Sequence, residues 1–144
     1  EAFYKAFGQT LNPYLEVAFQ SMGVRSFNYE FTFSPRNEDE TQAAKDIIEL
    51  FRFHMAPELK GNQMRYLTLP STFDIHYMYQ SSPEVTKENT YYNKIATCVL
   101  EDCNVNYAPT GVKSFDDGAP TQITMTLRFM ETEMLTKEKI NKGF

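Results

Sequence analysis

Between Leu15 and Phe33 the chain alternates twice. Leu15, Val17 and Phe19 point one way while Glu16, Ala18 and Gln20 point the other. After Ser21-Met22-Gly23, the residues Phe27, Tyr29, Phe31 and Phe33 alternate with Ser26, Asn28, Glu30 and Thr32. A period of two marks a half-buried strand. Two such strands joined by a short turn with a glycine predict a hairpin over Tyr14–Phe33. The period then changes. Pro35 closes the strand, Asn37 suits an N-cap, and Glu40 three residues on completes a capping box. Glu38, Asp39 and Glu40 suit the positive end of a helix dipole. A helix is expected from about Glu38 to Met55, stopping near Pro57. Its apolar face holds Ala44, Ile47, Ile48, Phe51 and Met55, widened on one side by Ala43 and Leu50.

Further strands are expected over Phe73–Tyr79, Ile95–Tyr107 and Ile123–Phe129. In the last, Ile123, Met125, Leu127 and Phe129 face inward, and this set should share one core with the hairpin. Phe31 is thereby expected in the core, with Phe31→Ala costing about 3–5 kcal/mol. The run "IATCVL" is apolar on both parities, which implies a strand covered on both faces or a bulge near Glu101. Two long polar loops, Ser81–Asn93 and Ala108–Pro120, separate these strands. Five strands and one helix with no βαβ rhythm predict a mainly β, α+β fold. It would be an antiparallel sandwich or barrel with one flanking helix.

At 144 residues the chain suits one domain. Twelve Phe and nine Tyr reinforce the β reading, because aromatics favour pleated, half-buried surfaces. The net charge of −5 and the lack of any Lys/Arg cluster argue against a surface that grips phosphates. No apolar run approaches a membrane span. "EAFYKAFGQT" lacks the basic and apolar regions of a secretory leader, and a start at Glu1 fits a processed product or a piece of a longer chain. Cys98 and Cys103 lie five apart on one expected strand, so they should face opposite ways and stay reduced.

Candidate chemistry is sparse. His54 and His76 have no metal-ligand spacing around them, and no phosphate loop or nucleophile elbow occurs. Asp116-Asp117-Gly118 is half of a calcium loop at most and reads as a polar turn. Glu131 and Glu133 continue the inward parity of the last strand; the expectation is that the strand has left the core there, or that a bulge has flipped its faces. Without cations beside it, the Phe27–Phe33 stripe is core rather than a base-stacking platform. No enzyme activity, metal or cofactor is expected.

The segment "NPYLEVAFQSMGVRSFNYEFTFSPRNEDETQAAKDIIELFRFHMAPE" resembles a block of the baseplate tail tube cap proteins of T-even-type contractile-tailed phages. The shared features are an N-P-x-x-E strand, an R-S-F strand, an F-x-P-R-N helix entry and a helix ending in H-M-A-P. "LTLPSTFDIHYMY" resembles that family's proline-led strand. "NKIATCVLEDCNVNYAPTGVKSFDDGAPTQITMTLRFMETEMLTKEKINKGF" resembles its C-terminal end. The likeness runs in order from Asn12 to Phe144. Family members are longer at the N-terminus, so residues 1–144 would be a C-terminal tube domain of a longer chain. The resemblance implies a virion protein, assembled in the host cytoplasm, with a tail-tube fold that closes into a hexameric ring. The ring would sit between the baseplate hub or tube initiator and the first ring of tail tube protein, and would initiate tube polymerisation. DNA would only pass through its lumen, and no membrane is involved. The nearest alternative is a tail tube protein or initiator proper. A monomeric ligand-binding β-barrel is further off.

Within that picture the polar parity of the wall strands, Asn28, Glu30, Thr124 and Thr126, is expected to line the lumen. Six copies at −5 carry −30 formal charges, which would let DNA pass without sticking. The two long loops, with Lys87, Glu88, Lys113, Asp116 and Asp117, are expected to reach neighbouring subunits. Phe53 falls on the polar side of the helix. Either the 57–68 loop folds over it, or it anchors a partner.

Overall fold

The computed structural model describes residues 23–60, 66–116 and 118–144. The expected strand before Ser21 lies outside them. Strand β1 runs Ser26–Phe33 and helix α1 Glu38–Met55. Two short strands follow, β2 at Leu59–Lys60 and β3 at Tyr66–Leu67. Next come β4 at Thr72–Phe73, β5 at Met78–Ser82 and β6 at Val85–Glu88. The long strands β7, Cys98–Asn106, and β8, Ile123–Glu131, precede a short helix α2 at Lys137–Asn141. One antiparallel sheet, in the order β1-β8-β7-β4, curls into half a barrel, while β2-β3 and β5-β6 are separate two-stranded ribbons. The fold is mainly β, with antiparallel pairing throughout its strands.

Helix α1 starts where its caps place it. The Asn37 side chain accepts the Glu40 N–H at 2.8 Å. Glu40 reaches back one residue further than a capping box requires and accepts the Arg36 N–H at 2.8 Å. Ala44 and Ile48 are buried, and Phe51 and Met55 half-buried, as the helix packs on β7. Ala43, Ile47 and Leu50 remain exposed, so the buried stripe is narrower than the apolar one.

Strand β8 is the centre of the core. Ile123, Met125, Leu127, Phe129 and Glu131 are all buried, and strands pair on both sides of it. A register shift between Leu100 and Asp102 puts a bulge of β7 at Glu101, one of the two readings open for the "IATCVL" run. The bulge corrects the cysteine geometry. It adds one residue to the strand, so Cys98 and Cys103 both face the core, opposite Glu131 and Leu127. Both thiols are free. Burial pushes the Cys98 thiol up to about 11.

The expected strand Phe73–Tyr79 is broken. Only Thr72–Phe73 pairs with β7, the backbone is irregular to Tyr77, and Met78 begins the β5-β6 ribbon. Phe73, Ile75 and Tyr77 still pack on the core. Alternation here recorded facing, not ladder pairing. Phe31 is the second correction. It is 46% exposed, on a strand that forms a sheet edge among the described residues.

Glu131 is the third correction. At Glu131 the strand neither leaves the core nor flips, and the carboxylate is 1% exposed; Glu133, past the end of β8, has left the core as expected and is exposed. Arg25 grips it with two hydrogen bonds, Nε to Oε2 at 2.8 Å and Nη2 to Oε1 at 2.6 Å. The Ala96 amide donates to Oε1 at 2.9 Å. Burial alone would raise the carboxyl, but the Arg25 and Ala96 hydrogen bonds outweigh it and hold it below the ordinary range.

Removing the cation should expose the cost of that burial. Arg25→Ala should lose about 3–5 kcal/mol in urea melts, as for a buried pair broken on one side. A loss under about 1 kcal/mol would show the pair is dispensable. Because the folded carboxyl titrates below its unfolded value, its stabilisation is complete above about pH 4.3 and fades as pH falls through the folded value. The stability gap between wild type and Glu131→Gln should therefore be widest above about pH 5 and shrink in acid. Core position is tested separately. Phe129→Ala should cost about 3–5 kcal/mol, and Phe31→Ala clearly less, in denaturant melts; equal losses would contradict the half-open edge.

Candidate functional site: the exposed faces

The sheet presents a polar face opposite its core. Across three strands the rows are Asn28, Arg128 and Asp102; Glu30, Thr126 and Asn104; and Thr32, Thr124 and Asn106. The four residues expected on the lumen are thus brought together on one face, with Asn28 and Glu30 exposed and Thr124 and Thr126 half-buried. Short polar side chains opposite one another suit cross-strand hydrogen bonding and keep the surface low in relief. Arg128 is the cation in these rows, and Glu101 holds its Nε at 3.1 Å. Glu30, Glu101 and Asp102 outnumber it, so the patch is acidic.

The opposite face is aromatic and, among the described residues, open on one side. Tyr29, Phe31, Phe51, Phe73, Tyr77 and Phe129 line a groove of about 510 Å3. Phe129 meets Tyr29 and Phe73 edge-on, at centroid distances of 5.9 and 5.4 Å. The Tyr29 and Tyr77 hydroxyls lie 2.7 Å apart. Burial and that hydrogen bond raise the Tyr29 phenol far above its usual value. These groups pack and shape; none is placed as a nucleophile beside a base.

The candidate contact residues fall in three places. Lys87 and Glu88 lie on β6, in a ribbon whose residues are all exposed, so the stretch expected as a loop is in part a strand pair. Glu88 meets His76 Nδ1 at 3.3 Å at the foot of the ribbon. Lys113 and Asp116 lie on the β7–β8 connection, where Phe115 and Gly118 close a turn with Gly118 at φ +85°. Phe115 and Asp116 line a recess against Arg36, Asn37 and Thr41 at the start of α1. Asp117 lies outside the described residues. Phe53 is 76% exposed, and the described residues after Pro57 do not bury it; residues 61–65 of the expected covering loop lie outside the described residues. It shares a cleft of about 360 Å3 with Pro57, Glu58 and Leu69. Leu69 in that cleft is exposed, and so are Leu59 and Leu67 on β2 and β3.

His54 bonds Ser71 Oγ at 2.9 Å, and among the described residues no three His, Cys, Asp or Glu side chains gather to hold a metal ion. No described helix is long and apolar enough to cross a membrane. Phe53→Ser should leave stability within about 0.5 kcal/mol of wild type, as for exposed positions. A loss above about 1.5 kcal/mol in urea melts would mean Phe53 is packed in solution.

A scan of the chain against protein-family models finds no matching family, and a search of curated proteins finds no match.

Proposed function

We propose that this chain is a structural ring protein of a contractile phage tail, a tail-tube-like domain of the baseplate tube cap type. The ordered resemblance from Asn12 to Phe144 supports the family. The structural observation that carries the reading is the sheet's two-sidedness. A half-barrel wall has an aromatic inner layer under α1 and an acidic, low-relief polar face of Asn28, Glu30, Thr124 and Thr126 on the other side. Six such walls joined edge to edge give a closed barrel whose polar faces line a lumen. Closure also supplies partners for sheet edges, which otherwise invite uncontrolled pairing. In that ring the lumen carries no free cation in the rows described, so DNA passes without phosphate capture. The β5-β6 ribbon and the β7–β8 connection project to neighbours and to the adjoining hub, initiator or tube rings. A tail tube protein or initiator proper shares this logic and differs only in position along the tail. The function is assembly, with no catalysis and no cofactor, and its place is the virion.

The open aromatic groove favours one other reading, a ligand-binding half-barrel. Native mass measurement over rising protein concentration separates the two. Ring assembly predicts a species of six times the 16.7 kDa chain. A species that stays monomeric and takes up a small apolar ligand would overturn it.

A further inference from the structure

Helix α1 carries more apolar surface than the core uses. Ile47, Leu50 and Phe53 recur every three residues, with Ala43 one turn before Ile47. At 100° per residue Ile47, Ala43 and Leu50 form an arc beside the buried stripe of Ala44, Ile48, Phe51 and Met55, and Phe53 stands beyond that arc on the polar side, past Asp39 and Asp46. All four are exposed, Leu50 at 58%. Ala43 and Ile47 also wall a recess of about 310 Å3 against Phe33 and Pro35. An apolar helix face of this width beside a fitted recess is a seat for another element.

The border of the seat is one-signed. Asp39 and Asp46 flank the arc on its solvent side, between Leu50 and Phe53, and Glu49 lies beyond Phe53, all exposed. Gln42 donates to Asp46 at 2.7 Å and holds that carboxylate on the helix surface. Glu40 stands at the recess, its carboxylate already bonded to the Arg36 amide. The helix's cations, Lys45 and Arg52, lie across it toward β7, where Arg52 reaches Cys103. An acidic rim around an apolar centre attracts a positive rim around an apolar ridge.

We infer that this second face of α1 is a docking site for a basic amphipathic helix of a partner protein, with Ile47 and Leu50 as central anchors. A second copy of this chain is a poorer fit, because two-fold pairing of α1 with itself sets carboxylates against carboxylates. The inference stands on the helix face and its charges, so it survives if the chain forms no ring.

The probe is a labelled peptide of leucine and lysine at helical spacing, about 18 residues long, with a second peptide carrying glutamate in place of lysine. Fluorescence anisotropy on the whole chain should show the lysine peptide binding at least about tenfold more tightly. Leu50→Ser should weaken it about tenfold, as expected for losing one buried leucine contact. Asp46→Asn with Glu49→Gln should remove most of its salt dependence. Lys45→Gln, across the helix, should leave it within about twofold. Melting curves establish that each variant is folded. Equal binding of both peptides, no binding of the lysine peptide, or indifference to Leu50→Ser would overturn the inference. So would a dimer in sedimentation that Leu50→Ser abolishes, which would assign the face to self-pairing.

Discussion

A buried carboxylate fixes where three segments of this chain meet. Glu131 ends β8, Arg25 leads into β1, and Ala96 leads into β7. An isolated carboxylate at 1% exposure is untenable, so the pair forms only when all three arrive together. That requirement fixes register as well as closure. A one-residue slip of β8 against β1 would carry Glu131 to the far face and with it Ile123 through Phe129. The ion pair is thus a specificity device at the end of the longest strands, and the apolar core supplies the driving force.

With the register fixed, the faces sort themselves. Odd positions of β8 enter the core, and even positions place Thr124, Thr126 and Arg128 on the polar side. The bulge at Glu101 lets Cys98, Leu100, Cys103 and Val105 all face inward despite their spacing. It also brings Glu101 to Arg128 on the polar side, where it quenches the cation. One irregularity therefore completes the core and leaves the opposite face acidic. Such a wall gains most when its edges are joined to copies of itself, which is what the proposed ring does.

Much of the fold was legible because the signals were local. The Asn37 cap and the acidic first turn fixed α1 at Glu38, and clean alternation fixed β1 and β8. The run of Ile95 to Leu100 broke parity, which fits a strand covered on both faces as well as a bulge, and only the register decides for the bulge. The misreadings were non-local. Whether Phe73–Tyr79 pairs along its length depends on where β7 runs, and no alternation encodes that. The β5-β6 ribbon is polar enough to read as a loop. Glu131 stood on an apolar parity, which is itself the sign of an inward carboxylate seeking a cation, but Arg25 lies 106 residues away. For the candidate surfaces, parity placed Asn28, Glu30, Thr124 and Thr126 together correctly. Phe53 already read as lying on the polar side of the helix, whereas the exposure of Leu50 could be seen only once the helix had chosen its buried face.

A low-resolution image of the native assembly shows whether this chain is one wall segment of a closed ring, as proposed. The expected particle is a ring of six copies around an open lumen, with the β1-β8-β7 polar face turned inward and α1 outward. A particle without rotational symmetry, or a ring with α1 turned to the lumen, would contradict it.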